Sequence, residues 1–350
     1  MTVVEHTDVS SLCLPNRNIS APHSLLVFKA TGVTIIVTAS LLGNTLCLVV
    51  LRRMRHLMEP VTRVFMTSLT IADLSTGVLL GIPIIGATIS DCWPYGQVFC
   101  TINSATDMVC MSCTTVSVFN LTIERFIAVM RPFDYRQICT LNRARLLVVV
   151  MWSAAILFAS LTALIPGRTG HYSAPLHTCL LGPADPNEPD ILGTVFIIFC
   201  IFVPLISVLM MMCKLFYVAR GHARRIAEDC HRGSVSCIEG STPQTRPSRI
   251  KPNNKAFVTV FMMTLCLSIC TFPLGVAFIY ENLTRQDLPL AYIYVAEMVA
   301  FTIGVWDLVI YYIRNAAFRE TLKRLIGQIL TPKCPCIDTN EVITLQNQTK

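Results

Sequence analysis

The chain has 350 residues, 53% of them hydrophobic and 14% charged, with a formal net charge of +7 and a mean hydropathy of +0.59. That balance excludes a wholly water-soluble domain of this length. The surplus positive charge lies between long apolar runs, which assigns it to a membrane surface and not to nucleic acid.

Residues 1–26 are polar and aperiodic, as an N-terminal tail is, and carry the acceptor sequon "NIS" at Asn18. No charged n-region and h-region precede residue 27, so the first apolar run is expected to act as its own insertion signal. There are seven such runs in all, at 27–51, 62–87, 98–130, 144–165, 190–218, 255–281 and 290–313. Each is long enough to cross ~30 Å of hydrocarbon as a helix. Only Arg17, Lys29, Arg168 and Arg285 fall on the side of the N-terminus, and basic loops stay cytoplasmic, so the tail is expected to be extracellular. The expected fold is an all-α membrane protein, a bundle of seven transmembrane helices over 27–313.

Ionisable groups at membrane depth are costly, so each needs a partner or a task. The second run holds Asp73, in "LTIADL", with no base nearby in sequence. In the third, Asp107 and Arg125 are five helical turns apart on one stripe, about 27 Å from end to end, with Met111, Thr114 and Val118 between them. A stripe with charge at both ends cannot face lipid, so this helix is expected at the centre of the bundle. Glu124 precedes Arg125 and can neutralise it until the arginine finds a better partner from the inner side. Pro204 and Pro273 are expected to bend the fifth and sixth runs. In the seventh, Glu297 lies at about the depth of Asp107, and the two acids, with loop acids Asp185, Glu188 and Asp190, suggest an anionic mouth for a cationic ligand. Asp307 lies as deep as Asp73; with Thr114 as a third oxygen, the pair calls for a Na⁺ ion or a shared proton.

Of the sixteen cysteines, Cys13, Cys92, Cys100 and Cys179 lie on the outer side, where disulfides persist; three connectivities are open, and a Cys100–Cys179 link would tether a loop to the third helix. "NLT" at Asn282 is a second, weaker sequon. The 220–254 segment is rich in Arg, Ser, Pro and Gly, as a flexible cytoplasmic loop is. Residues 314–330 put Phe318, Leu322, Leu325 and Ile329 on one face, the pattern of an amphipathic helix on the inner leaflet. In the tail 331–350, Cys334 and Cys336 of "PKCPC" are palmitoylation candidates. No catalytic constellation appears, which speaks against an enzyme.

Seven runs, "GN" at Gly43–Asn44, "LTIADL", "WPYGQVFC" ending at Cys100, "ERF" at 124–126, Trp152, Pro204 and Pro273, in this order, resemble the rhodopsin-like (class A) G-protein-coupled receptors over about residues 27–330, closest in pattern to the aminergic type. The resemblance implies an extracellular Cys100–Cys179 disulfide, a sodium pocket at Asp73 and an eighth helix after residue 313. It implies an activation latch at Glu124 and Arg125, with Phe133 and Tyr311 also serving a heterotrimeric G protein, and it brings arrestin and kinases as further partners. Asp107 matches the acid that holds the ammonium of an amine ligand, and Met111, Phe196, Ile197, Cys200, Leu274, Glu297 and Phe301 complete the expected ligand set. No cofactor is implied beyond the internal Na⁺. Departures are Thr271 for a common Trp, Leu267 for a Phe, Leu274 and Gly275 for aromatics, and Leu308 for the Pro of the seventh-span motif. Phe196, Ile197 and Cys200 supply no serine for a catechol, which leaves another amine, a basic peptide or an unfamiliar cation. A peptide or lipid receptor, a signalling-silent scaffold and an ion-coupled transporter are the competing readings.

Overall fold

A computed structural model describes residues 23–185, 188–233 and 254–330. Asn18, Cys334 and Cys336 lie outside them.

The helices are α1 (His23–Arg53), α2 (Pro60–Ser75), α3 (Ile82–Ser90), α4 (Gly96–Met130), α5 (Tyr135–Ile138), α6 (Leu141–Leu164), α7 (Ile191–Ile197), α8 (Val203–Gly233), α9 (Asn254–Thr284), α10 (Leu290–Phe301), α11 (Ile303–Arg314) and α12 (Ala316–Leu330). Six helical runs of 24 to 35 residues are apolar enough to cross a bilayer, and α10 with α11, joined at a 43° bend, makes a seventh. The second span is α2 with α3, the fifth α7 with α8, and the others are α1, α4, α6 and α9.

Two of these spans are interrupted by π turns, Thr76–Gly81 and Ile198–Phe202, each followed directly by a segment whose second residue is proline, Pro83 and Pro204. A proline lacks the N–H that the i−4 carbonyl would accept, and its ring presses on that carbonyl. Widening the turn by one residue relieves both faults. Pro273 stays inside a continuous α9. The seventh span bends without a proline. Leu308 stands in regular helix, and the break falls at Thr302, whose hydroxyl donates to Val299 O at 2.6 Å.

α4 packs against α2, α6, α8 and α9, the central place its charged stripe demands. Lipid is as apolar as leucine, so fit and inter-span hydrogen bonds hold such helices together more than water exclusion does. Asn44 Nδ2 of α1 donates to Gly304 O of α11 at 3.0 Å, Trp152 Nε1 of α6 donates to Ser68 Oγ of α2 at 3.0 Å, and Ser68 meets Ser117 of α4 at 3.1 Å.

The bundle is all-α, as expected, and a hairpin that was not expected, β1 (Arg168–Ser173) with β2 (Thr178–Pro183), lies between the fourth and fifth spans. Neither "RTGHYS" nor "TCLLGP" alternates clearly, so no period announces a strand. What fixes it is non-local. Cys179 is bonded to Cys100 at the start of α4, and Gln97 Nε2 donates to Gly170 O at 2.6 Å. A Cβ at Gly170 would lie 2.6 Å from the Thr101 backbone nitrogen, so only glycine lets β1 approach α4 this closely. The segment expected to be a loop from residue 220 is helical as far as Gly233. On α12, Phe318, Leu322 and Leu325 are buried in the cluster that holds Val50 and Leu51 of α1 and Met54 just beyond it, so its apolar face packs on the bundle.

Candidate functional site

At the hairpin end of the bundle a cavity of about 290 Å³ is lined by Asp107, Met111, Phe196, Ile197, Leu274 and Phe301 of the expected set. Thr271, Leu181 and Phe278 also line it. Phe278 was not expected. It restores part of the aromatic wall missing at Leu274 and Gly275, as does Phe196, whose ring stacks on Phe158 at 5.9 Å. Cys200 does not reach this cavity. It lies in the π turn of the fifth span, beside a smaller void, with its thiol 3.7 Å from Ser112 Oγ of α4. Asp107 has no hydrogen-bond or ion-pair partner among the described residues. The basic lining residue, Arg168, is occupied: its Nη1 lies 2.8 Å from Asp190 Oδ1.

Glu297 does not share this mouth. Its Oε2 forms an ion pair with Lys29 Nζ of α1 at 2.7 Å, and both residues are buried. Lys29 Nζ also donates to Pro175 O at 2.7 Å and to His177 Nδ1 at 3.0 Å, and it sits 4.2 Å from the centroid of the Tyr294 ring. An ammonium has no lone pair, so Nδ1 must accept and Nε2 must carry the proton, which it donates to Asp91 Oδ1 at 3.2 Å. Burial first, and then the adjacent ammonium, lower the His177 pKa from 6.5 to about 4. The hairpin tip, whose Pro175 and Leu176 line the cavity, is thereby strapped to the first and seventh spans.

Below Asp107 the cavity reaches Asp73 and Gly304. Thr114 Oγ1 donates to Asp73 Oδ1 at 3.4 Å, and the Asp307 carboxyl faces that of Asp73. Asp73 Oδ2 and Asp307 Oδ2 are buried and have no hydrogen-bond partner.

At the opposite end Arg125 Nε lies 2.6 Å from Glu124 Oε2. Two further residues close this arrangement. Thr62 of α2 donates to Glu124 Oε1 at 3.2 Å and accepts from Arg125 Nη2, while the Tyr135 hydroxyl of α5 donates to Glu124 Oε1. Burial and the nearby carboxylate raise the Tyr135 pKa, so the phenol stays a donor. Tyr311 is buried, with its hydroxyl 2.6 Å from Met66 Sδ, and Phe133 is 95% exposed.

Residues 43–311 match the family described as 7 transmembrane receptor (rhodopsin family). The chain belongs to that family. It is a G-protein-coupled receptor and a multi-pass membrane protein, and the family is not one of enzymes. The receptor is similar to the D(1A) dopamine receptor of Didelphis virginiana, 24% identical over 87% of this chain and 74% of the relative. It is also similar to the histamine H2 receptor of Homo sapiens, 28% identical over 79% of this chain and 71% of the relative. The thyrotropin-releasing hormone receptor of Homo sapiens is 28% identical over 45% of this chain and 40% of its own length. The receptor's Lys29, Thr62, Tyr135 and Phe278 were not selected by motif. Lys29, Thr62 and Tyr135 act through partners on other elements, and Phe278 through the cavity it lines, which spacing along one helix does not reveal.

Proposed function

We propose that the receptor sits in the plasma membrane with its N-terminus outside, binds a small cationic, amine-like ligand, and activates a heterotrimeric G protein. The observation that carries this reading is Asp107, a carboxylate without a partner among the described residues, facing a largely apolar cavity. A half-buried anion in such surroundings is satisfied best by a charge-assisted bond to an ammonium. The volume, about 290 Å³, suits a small ligand better than a long peptide. Met111, Phe196, Ile197, Leu274, Phe278 and Phe301 form the wall around that ammonium. The ligand acts by population shift: it favours a state in which Arg125 leaves Glu124 and Thr62 and meets the G protein near Tyr311 and Phe133. Arrestin and kinases share that inner face. Asp73, Asp307 and Thr114 offer oxygens of the kind a hard cation takes, and the unpartnered Asp73 and Asp307 oxygens fit a Na⁺ ion or a shared proton. We assign α12 to the inner leaflet, with Cys334 and Cys336 as lipid anchors and Asn18 as the glycosylated residue.

The test is nucleotide exchange on G proteins in cells expressing the chain, challenged with biogenic amines and basic peptides. Asp107→Ala is expected to abolish the response by abolishing binding. Arg125→Ala is expected to reduce coupling while leaving binding largely intact. Equal loss of surface expression in both variants, with no separation of binding from coupling, would refute the roles.

A further inference from the structure

We propose that the ligand is a linear dication, with one ammonium on Asp107 and a second, about two helical turns deeper, on the Asp73–Asp307 carboxylates. This rests on the reading of Asp107 given above and extends it to the chemical class of the ligand.

Three observations carry it. First, Asp107 and Asp73 line one cavity and not two. The path between them stays open because Thr271, on the wall, is short and turns its hydroxyl back to Leu267 O at 2.8 Å. Second, the lower end holds buried oxygens that lack a donor. Asp73 is 5% and Asp307 8% exposed, and one oxygen of each has no hydrogen-bond partner. A primary ammonium carries three N–H groups, enough to serve both carboxylates and a nearby hydroxyl. Third, the distance suits a chain. Thr114, which bonds Asp73, follows Asp107 by two turns of α4, so the two subsites are about 10 Å apart. Met111 lies between them on the same stripe, with Phe301, Leu267 and Thr271 around the passage. That lining is mainly apolar, which matches a run of methylenes. A monoamine would leave the lower carboxylates to a proton or a sodium ion, so sodium becomes a competitor of the second ammonium.

The experiment uses the purified full-length receptor in lipid nanodiscs and reads affinity from ligand-induced shifts in thermal unfolding. The probes are 1,8-diaminooctane, 1,4-diaminobutane and 1-aminooctane, each with sodium and with sodium replaced by choline. 1,8-Diaminooctane is expected to bind at least ~10-fold tighter than either other amine, as a second charged contact should give. Sodium should weaken the long diamine and leave 1-aminooctane unaffected, and Asp73→Asn should erase the preference. Equal affinity of 1,8-diaminooctane and 1-aminooctane for the wild-type receptor overturns the proposal and needs no variant. If 1-aminooctane binds and Asp107→Asn does not weaken it, the underlying reading of Asp107 fails instead. Absence of binding by all three amines overturns both.

Discussion

The Lys29 ammonium, with no exposed surface, is held by Glu297, Pro175 O, His177 and the face of Tyr294. Taken one at a time, the two charges read as an outer-side base and a ligand-binding acid. Together they cancel, and only the fold brings the first span against the seventh. Removing one partner of a buried ion pair leaves an uncompensated charge, whereas replacing both with apolar groups of similar size is often neutral. Lys29→Met is therefore expected to destabilise the receptor by about 3–5 kcal/mol, and Lys29→Met with Glu297→Leu to recover most of it. Thermal unfolding in detergent measures both. A similar case holds at the inner end, where "ERF" was legible but its two partners were not. Thr62 gives Glu124 a proton donor and Arg125 an acceptor with one hydroxyl. Thr62→Val should loosen that arrangement and raise ligand-independent nucleotide exchange. Basal exchange at or below the wild-type level would show that Thr62 does not restrain Arg125.

Among the elements, the spans were readable because twenty apolar residues in succession have few other uses, and the helices begin and end within a few residues of the expected limits except in the fifth span, whose helix runs on to Gly233. The hairpin was not readable, since its register depends on Cys100 and Gln97 of another element. The strap at its tip has a pH dependence of defined sign. His177 titrates at about 4 when strapped and near 6.5 when released, so the released state binds more protons between those values. The strap is therefore fully held above about pH 6.5, weakens as pH falls from 6.5 towards 4, and loses no more below 4. At pH 5.5 the equilibrium should favour release by about ten-fold relative to neutral pH. The groups facing His177 are Lys29, Asp91, Tyr172 and Tyr294, with Glu297 behind Lys29. Amide exchange across Ser173–Cys179 at pH 7.4 and 5.5 would measure the change, and His177→Gln should flatten it. An exchange rate that follows only the intrinsic pH dependence of amides in the wild type would exclude the effect.

For the molecule as a whole, orientation is the property that topology must satisfy everywhere at once. Placing the N-terminus outside puts the hairpin, its disulfide and Asn282 on one side, with "RRMRH" and Arg125 on the other. Asn282 then sits on the glycosylated side, yet its amide is already in use. Nδ2 donates to Asp190 O at 3.0 Å and to Thr194 Oγ1 at 2.6 Å, and Oδ1 accepts from the Asp190 N–H at 2.9 Å. A glycan there would replace one of the two Nδ2 protons, removing one of those bonds, and would wedge its sugar between the fifth span and the sixth. Asn18→Gln is therefore expected to abolish the glycosidase-sensitive shift in gel mobility, and Asn282→Gln to leave that shift intact. A residual shift in the Asn18 variant would refute this assignment.

The π turn at Ile198–Phe202 has a consequence for how the fifth span's sequence maps to space. Because it holds one residue more than a regular turn, it works as a dial: residues before and after it are out of phase by about 100° relative to an unbroken helix. Phe196 and Ile197, ahead of the dial, face the cavity, whereas Cys200, within it, is turned off the wall. Deleting one residue from this turn would leave the composition of the span nearly unchanged but rotate its outer end against its inner end. The chain would then present a different set of side chains to the same ligand, so a change in the count of residues here could re-address the receptor as effectively as a set of substitutions.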